Sequence, residues 1–374
     1  MKNKIFIKNI VYPWDIGGYV KLPEECKNEL IISLLNRYGK IKNINKALNL
    51  PEDWFNNLKR IDKIHTTALK KIVSITNQNL CKNIIQFNDD KGSSSIPFTG
   101  KFPIKYNPLW HFIFCFSVGD RYISDRYKKK FTWYQKPEGQ KKLIELLNRI
   151  NFRYSKSVNT AKRGIIIPQL VRKVGSFITG LDSRQKIKED IIEVSNKLGK
   201  DYELALLCAF FIDEAGMGKT KSNSEVTLHQ EGNLLLLEKI GDLLNRFNVK
   251  WSKNKKIDKW CIRINSEGVI QLSKLFSSLR KYNINLLHRE EIFQRKVKMS
   301  KETLYRVPLR EESISIRKYI LNNCRNKIVS LDEIRNYFKP NFNVSTRSRQ
   351  LVHFMKKRNE LQTIALGKYI IRSK

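Results

Sequence analysis

The chain repeats itself, and that repeat constrains the fold more than any other feature. Residues 147–155 read LNRINFRYS and residues 244–252 read LNRFNVKWS. Five of the nine positions are identical, three are conservative (Phe152/Val249, Arg153/Lys250, Tyr154/Trp251), and Ile150/Phe247 is apolar in both. The correspondence extends upstream with small gaps. Thr132 and Gln135 match Thr227 and Gln230, and Asp120 matches Glu214. The offsets fall from 97 (147 to 244) through 95 (132 to 227) to 94 (120 to 214), so only short loop changes separate the copies.

Each copy opens with an apolar helix that ends in an acid, WHFIFCFSVGD (110–120) and LALLCAFFIDE (204–214). A basic stretch follows, then alternation that predicts strands over Phe131 to Gln135 and Val226 to Gln230. Helices are expected over Gln140 to Ile150 and Asn233 to Phe247. Strands are expected over Phe152 to Lys156 and Val249 to Lys253, then Gly164 to Ile167 and Lys259 to Ile264. A closing helix ends each copy, near Leu170 to Ile178 and Gly268 to Leu279. The expected order is α-β-β-α-β-β-α, twice over, in an α+β chain.

Lys and Arg total 72 against 35 Asp and Glu, a formal charge of +37 over 374 residues. Such an imbalance repels itself unless a polyanion offsets it, which points to nucleic acid. The most apolar run, around Leu204 to Ile212, is about half the length of a membrane span of about 20 residues and ends in acids. Met1 to Tyr12 mixes Lys and Asn and does not read as a signal peptide. Cys26, Cys81, Cys115, Cys208, Cys261 and Cys324 form no C-x-x-C pair and mostly sit in apolar runs, as buried thiols of a reducing cytoplasm do. The histidines His65, His111, His229, His288 and His353 share no zinc-ligand spacing with them.

The ends carry different material. Residues 1–87 read as a helical domain: a helix over Cys26 to Tyr38 stopped by Gly39, a short one over Ile44 to Leu50, and a third over Glu52 to Ile61 opened by Pro51. This is a helix-turn-helix order, or an ordinary small bundle. Residues 88–104, opening with NDDKGSSS, read as a linker. The two repeats take 105–200 and 201–290, a second linker 291–311, and a winged-helix-like domain 312–374. That last domain predicts helices over Ser313 to Cys324 and Ser330 to Phe338, with a Ser330/Glu333 capping box. A basic helix then runs from Ser345 or Thr346 to Asn359, carrying Arg347 and Arg349, and a hairpin turns at Gly367-Lys368. The basic helix would enter a major groove, or be a solvated face.

The paired apolar helices resemble the motif helices of LAGLIDADG homing endonucleases. With Asp120 and Glu214 on the motif's last acid, the nine positions read IFCFSVGDR (Ile113 to Arg121) and LCAFFIDEA (Leu207 to Ala215). Small residues stand at Cys115, Cys208 and Ala209, where close helix crossing needs short side chains. The family's Gly after each acid is replaced by Arg121 and Ala215. A rival register puts Gly216 on the motif Gly and Ala215 on the acid position. The resemblance covers residues 105–290 approximately. It implies a pseudo-symmetric core, a basic saddle of sheets on double-stranded DNA, and a metal-dependent double-strand break at a long specific site. Two carboxylates side by side repel unless a cation lies between them, and oxygen donors near phosphate favour Mg²⁺. Asp120 and Glu214 would hold that metal, with Lys162 and Lys259 assisting charge stabilisation. Lys128, Lys129, Lys130, Arg153, Lys219, Lys221, Lys250, Lys253, Lys255 and Lys256 would line the saddle. If about eight of these neutralise phosphates, log affinity falls with a slope of roughly −7 per log salt. Tyr154, Trp251 and Trp133 are core residues or base-facing ones.

Other readings keep the scaffold and change the chemistry. A regulator that binds DNA without cutting suits the two terminal modules, and RNA maturation is a further use of the same fold. A nucleotide-driven enzyme is disfavoured: DEAGMGKT (213–220) puts Asp213 at the first P-loop Gly, and a helix precedes it where a strand is needed. The ends carry no splicing nucleophile or His-Asn pair, so a free-standing monomer is expected over an intein-borne domain.

Overall fold

The computed structural model describes residues 9–51, 54–60, 63–76, 80–89, 96–118, 121–123, 131–133, 137–154, 160–161, 164–181, 189–217, 225–229, 234–256, 259–338 and 344–371. The chain forms two compact units, residues 1–221 with 225–295, and residues 222–224 with 296–374. It is a mixed α and β protein with small antiparallel sheets. Among the described residues, no helix is long and apolar enough to cross a membrane.

The first unit begins with β1 (Ile10–Val11), α1 (Pro13–Ile16), β2 (Tyr19–Lys21), α2 (Glu24–Tyr38), α3 (Ile41–Leu48), α4 (Trp54–Arg60), β3 (Ile64–His65), α5 (Thr66–Thr76), β4 (Gln86–Asn88) and β5 (Ile104–Lys105). Gly39 ends α2 with φ 72° and donates its N–H to Leu35 O, a conformation that costs glycine nothing. Leu30 and Leu34 of α2, Ile44 and Leu48 of α3, and Phe55 and Leu58 of α4 are buried. The three helices therefore share an apolar interior, with α5 added through Ala68, Leu69 and Ile72. Beside them β2 is the centre of a three-stranded sheet, β3-β2-β4. Residues 96–104, described within the stretch expected to be a linker, are woven into this unit. Ile96, Phe98, Phe102 and Ile104 are buried, Phe98 bridges to both Phe87 and Phe152, and β5 pairs with β1.

The two copies then follow. The first is α6 (Pro108–Val118), β6 (Arg121–Ile123), β7 (Phe131–Trp133), α7 (Pro137–Arg149), β8 (Thr160–Ala161), β9 (Gly164–Ile167) and α8 (Gln169–Thr179). After α9 (Asp190–Leu198) comes the second: α10 (Lys200–Glu214), β10 (Ala215–Gly216), β11 (Val226–Leu228), α11 (Leu234–Arg246), β12 (Trp251–Lys256), β13 (Lys259–Ile264) and α12 (Ser266–Ser278). The sheets are ordered β6-β7-β9-β8 and β10-β11-β13-β12, so each copy lays its four strands down first, second, fourth, third.

The repeated LNRxN segment has a local cause. Asn151 and Asn248 end α7 and α11 with φ of 70° and 56°. In the first copy Asn151 N donates to Asn148 O and Phe152 N to Leu147 O. In the second, Asn248 N donates to Asn245 O and Val249 N to Leu244 O. This is one helix stop used twice, with Asn in the left-handed position that most side chains avoid. Beyond the stop the copies diverge. The strand expected over Phe152 to Lys156 is absent among the described residues: Phe152 makes only an isolated bridge to Phe98, and β8 lies at Thr160–Ala161. Segment 97–99 takes its place, with Arg153 N donating to Pro97 O and Thr99 N to Asn151 O.

Helices α6 and α10 pack against one another. Both are apolar around the whole circumference, which suits only a helix enclosed on all sides. Phe112 to Phe116 and Leu204 to Ile212 are buried without a break. Burial of a large apolar side chain stabilises by about 1.5–3 kcal/mol, so this pair anchors the unit. Helix α8 crosses close to α6 at Gly175, where an added Cβ would stand 2.0 Å from the Phe114 ring.

In α13 (Glu290–Asn323) lies the stretch 291–311, read from sequence as a linker and helical here. Residues up to 295 belong to the first unit, where Phe293 packs on Phe211 and Phe276. The second unit continues with β14 (Ile328–Ser330), α14 (Leu331–Asn336), α15 (Val344–Lys357), β15 (Leu361–Ala365) and β16 (Lys368–Ile371). Its sheet is ordered β14-β16-β15. Ile316, Ile320, Ile334, Leu351, Met355 and Ile371 form its core. The Ser330 capping box is present: Glu333 N donates to Ser330 Oγ at 3.1 Å, and Ser330 N to Glu333 Oε2 at 2.5 Å.

Candidate site at the end of the apolar helix pair

Glu214 is the last residue of α10 and Ala215 the first of β10. Ala215 has φ −76° and ψ 116°, ordinary extended backbone, and is buried. The chain therefore passes from helix to strand with no left-handed residue, and no glycine is needed there. Asp213 and Glu214 are both half-buried. The Glu214 carbonyl accepts from His229 N at 3.2 Å, and the Ala215 carbonyl accepts from Arg289 Nη1 at 3.1 Å.

Strand register compares the copies without using side-chain identity. Arg121 pairs with Trp133, which pairs with Ile165. Ala215 pairs with Leu228, which pairs with Ile262. The offsets along these rows are 94, 95 and 97, the same three that separate the copies in sequence. Arg121 and Ala215 thus hold the same place in their sheets, and the residues preceding them are Asp120 and Glu214. The rival register, with Ala215 as the acid position, does not follow this pairing. Asp120 itself lies outside the described residues.

Opposed residues in an antiparallel sheet share a face. One face of the second sheet carries Leu228, Ile262 and Ile264, all buried. The other carries the row Gly216, Thr227, Arg263 and Ser252. Arg263 and Ser252 are exposed, as is His229, whose Nε2 lies 3.1 Å from Thr227 Oγ1. Glu225 accepts from Arg263 Nε at 2.6 Å. Sequence reading missed Arg263, although its place between Ile262 and Ile264 in KWCIRI is the alternation that marks an outward residue.

The expected saddle residues are spread over several environments. Lys250 and Arg153 are exposed. Lys253 is exposed but opposes Ile262; its ammonium lies 4.0 Å over the Trp260 ring and 3.6 Å from Glu238. Lys255 and Lys256 lie in β12, and Lys259 opens β13 as the register partner of Lys256. Lys128, Lys129, Lys130, Lys162, Lys219 and Lys221 lie outside the described residues. Trp251 is half-buried, donates Nε1–H to Asn245 Oδ1 at 2.8 Å, and sits where a Cβ on Gly241 would meet it at 2.7 Å, so it packs the sheet onto α11.

In the second unit Arg347 corrects the sequence reading. It is 6% exposed, bonded to Glu312 and stacked 4.7 Å over Phe338. Its charge is spent inside the unit, so it offers none to a phosphate. Arg349 and His353 are exposed on α15, and Arg358 is exposed just past its end.

A buried polar chain runs beside the helix pair. His111 is fully buried, with Nδ1 2.9 Å from Tyr106 Oη and Nε2 2.8 Å from Ser195 Oγ. Ser195 Oγ–H donates to Ile191 O at 2.6 Å, so it must accept from His111 Nε2–H, and Tyr106 Oη–H donates to Nδ1. Burial pushes the His111 pKa down to about 3. This is a neutral core histidine. Among the described residues the cysteines form no disulfide, and five of the six are buried. Among the described residues, no three His, Cys, Asp or Glu side chains gather to hold a metal ion. Neither a known protein family nor a curated protein matches the sequence.

Proposed function

We propose that the chain is a site-specific DNA endonuclease built on a tandem αββαββα core of the LAGLIDADG kind, with Asp120 and Glu214 as its metal-holding acids. The observation that carries the reading is the recurrence of helix, acid and strand. Two apolar helices pack together, in each copy an acid stands in sequence directly before the first strand of a sheet, and the two sheets share strand order and register. The donor set fits a hard cation, because Asp213 and Glu214 bring carboxylate oxygens to the half-exposed end of α10. Mg²⁺ bound by Asp120 and Glu214 would supply charge neutralisation and water activation at a phosphodiester. The protein's own part is to hold the duplex. Arg263, Ser252 and Thr227 present donors on the outward sheet face, and Lys250 and Arg153 add phosphate contacts. Lys162 and Lys259 are the candidates for stabilising charge during cleavage.

The test is selection of cut sites from a randomised duplex library in Mg²⁺. A site of about 15–25 base pairs is expected, since discrimination at one to three kcal/mol per base pair accumulates only over a long contact. Asp120→Asn or Glu214→Gln abolishes cutting and leaves binding intact. A second reading, a DNA-binding regulator without cleavage, is supported by the second unit: its order β14-α14-α15-β15-β16 and its three-stranded sheet resemble the winged-helix arrangement expected from the sequence. Tight binding with no nicking under any divalent metal selects that reading.

A further inference from the structure

The segment that leaves the second copy returns to the end of α10. It forms a 3₁₀ turn, Leu287–Arg289, and enters α13. It is held on two sides. Lys142 Nζ donates to Leu287 O at 2.9 Å, and His288 closes against Gly139, where a Cβ would meet its ring at 2.7 Å. On the other side Phe293 packs on Phe211 of α10 and Phe276 of α12. Between these anchors Arg289 is half-buried and gives one Nη1–H to the carbonyl of Ala215, the residue after Glu214.

A guanidinium has five N–H donors and always carries charge. Arg289 forms no ion pair among the described residues, in contrast to Arg246, Arg263, Arg280, Arg317 and Arg347, each paired with a glutamate. Its Nε–H is buried with no acceptor among the described residues. A cation bonded to the carbonyl of the residue that follows Asp213 and Glu214, at the C-terminal end of a helix, eases the crowding of negative charge there. The Nε–H without an acceptor offers a place to an oxyanion.

From this placement we infer that Arg289 is a phosphate-binding residue at the acid end of α10, contacting the DNA phosphate that Glu214 acts on. The inference rests on the nucleic-acid reading of the tandem core. In cleavage, a water oxygen forms the new bond to phosphorus and loses a proton to solvent. The bond from phosphorus to the leaving sugar oxygen breaks, and that oxygen takes up a proton. Charge gathers on the non-bridging oxygens meanwhile, and a preorganised guanidinium stabilises it without moving.

The test uses the full chain and its selected duplex, with binding measured in Ca²⁺ and single-turnover cutting in Mg²⁺. Arg289→Gln is expected to slow cutting about 100-fold, the loss typical for one oxyanion donor. It is also expected to lower the salt slope of binding by about one, as removal of one phosphate contact does. Arg289→Ala should regain rate when guanidinium ion is added, which a helix-capping role would not produce. Wild-type rate and an unchanged slope in Arg289→Gln overturn the inference. If the wild type binds without cutting, the cleavage reading falls by itself, and the slope of Arg289→Gln still decides the phosphate contact.

Discussion

Replacing His111 by Gln should flatten the acid side of the stability profile. In the native protein His111 is neutral, its two nitrogens engaged by Tyr106 and Ser195 and its ring shut from water. Burial lowers its pKa from 6.5 to about 3. The unfolded chain binds this proton from about pH 6.5 downward, whereas the folded chain refuses it until about pH 3. Stability from this group is therefore complete above pH 6.5 and falls with decreasing pH down to the folded value. At about 1.36 kcal/mol per unit, the loss between pH 7 and pH 4 comes to about 3 kcal/mol. That is a large share of the 5–15 kcal/mol typical of a folded protein. Urea unfolding of wild type and His111→Gln at pH 7, 6, 5 and 4 isolates the effect, because all other titrations cancel in the difference. The wild type should be the more stable form at pH 7, and its advantage should shrink by about 3 kcal/mol by pH 4. A difference that stays constant across that range refutes the neutral buried assignment.

Gly175→Ala places a methyl 2.0 Å from the Phe114 ring and should destabilise the first unit by about 1–3 kcal/mol, read from the midpoint of thermal or urea unfolding. Asn248→Ala should cost about 1 kcal/mol in the same assay, whereas Asn248→Gly should cost nearly nothing, because only the left-handed backbone at φ 56° is at issue. Arg347→Ala should loosen the second unit, seen as faster proteolysis after α13, and leave the salt slope of DNA binding unchanged. Arg349→Ala should do the reverse, keeping stability and lowering the slope by about one.

The repeat was legible because its strongest segment is a local device. LNRxN encodes a helix stop, and a helix stop depends on neighbours within six residues. Both apolar helices and the strand alternation were legible for the same reason. What sequence hid were partnerships across distance. Arg347 looked like a reading residue on a basic helix, yet its partner Glu312 stands 35 positions earlier, and nothing local marks the pair. Of the strand expected at Phe152 to Lys156, the described part, Phe152 to Tyr154, forms no strand, and Phe98, from a stretch that looked like a linker, bridges there. Arg289 escaped notice altogether, since its importance comes from a carbonyl 74 residues away. Helix α5 was also missed: its TTALKKIVSIT sequence begins directly on β3, with no polar gap to announce it.

The shared ion is the point on which the account turns. Mn²⁺ binding to the protein–DNA complex, titrated by electron paramagnetic resonance, measures it directly. Tight Mn²⁺ uptake by the wild type, lost at least tenfold on Asp120→Asn and equally on Glu214→Gln, is the predicted result, since each acid contributes to one site. Uptake unaffected by either substitution, or sensitive to one and indifferent to the other, would contradict it.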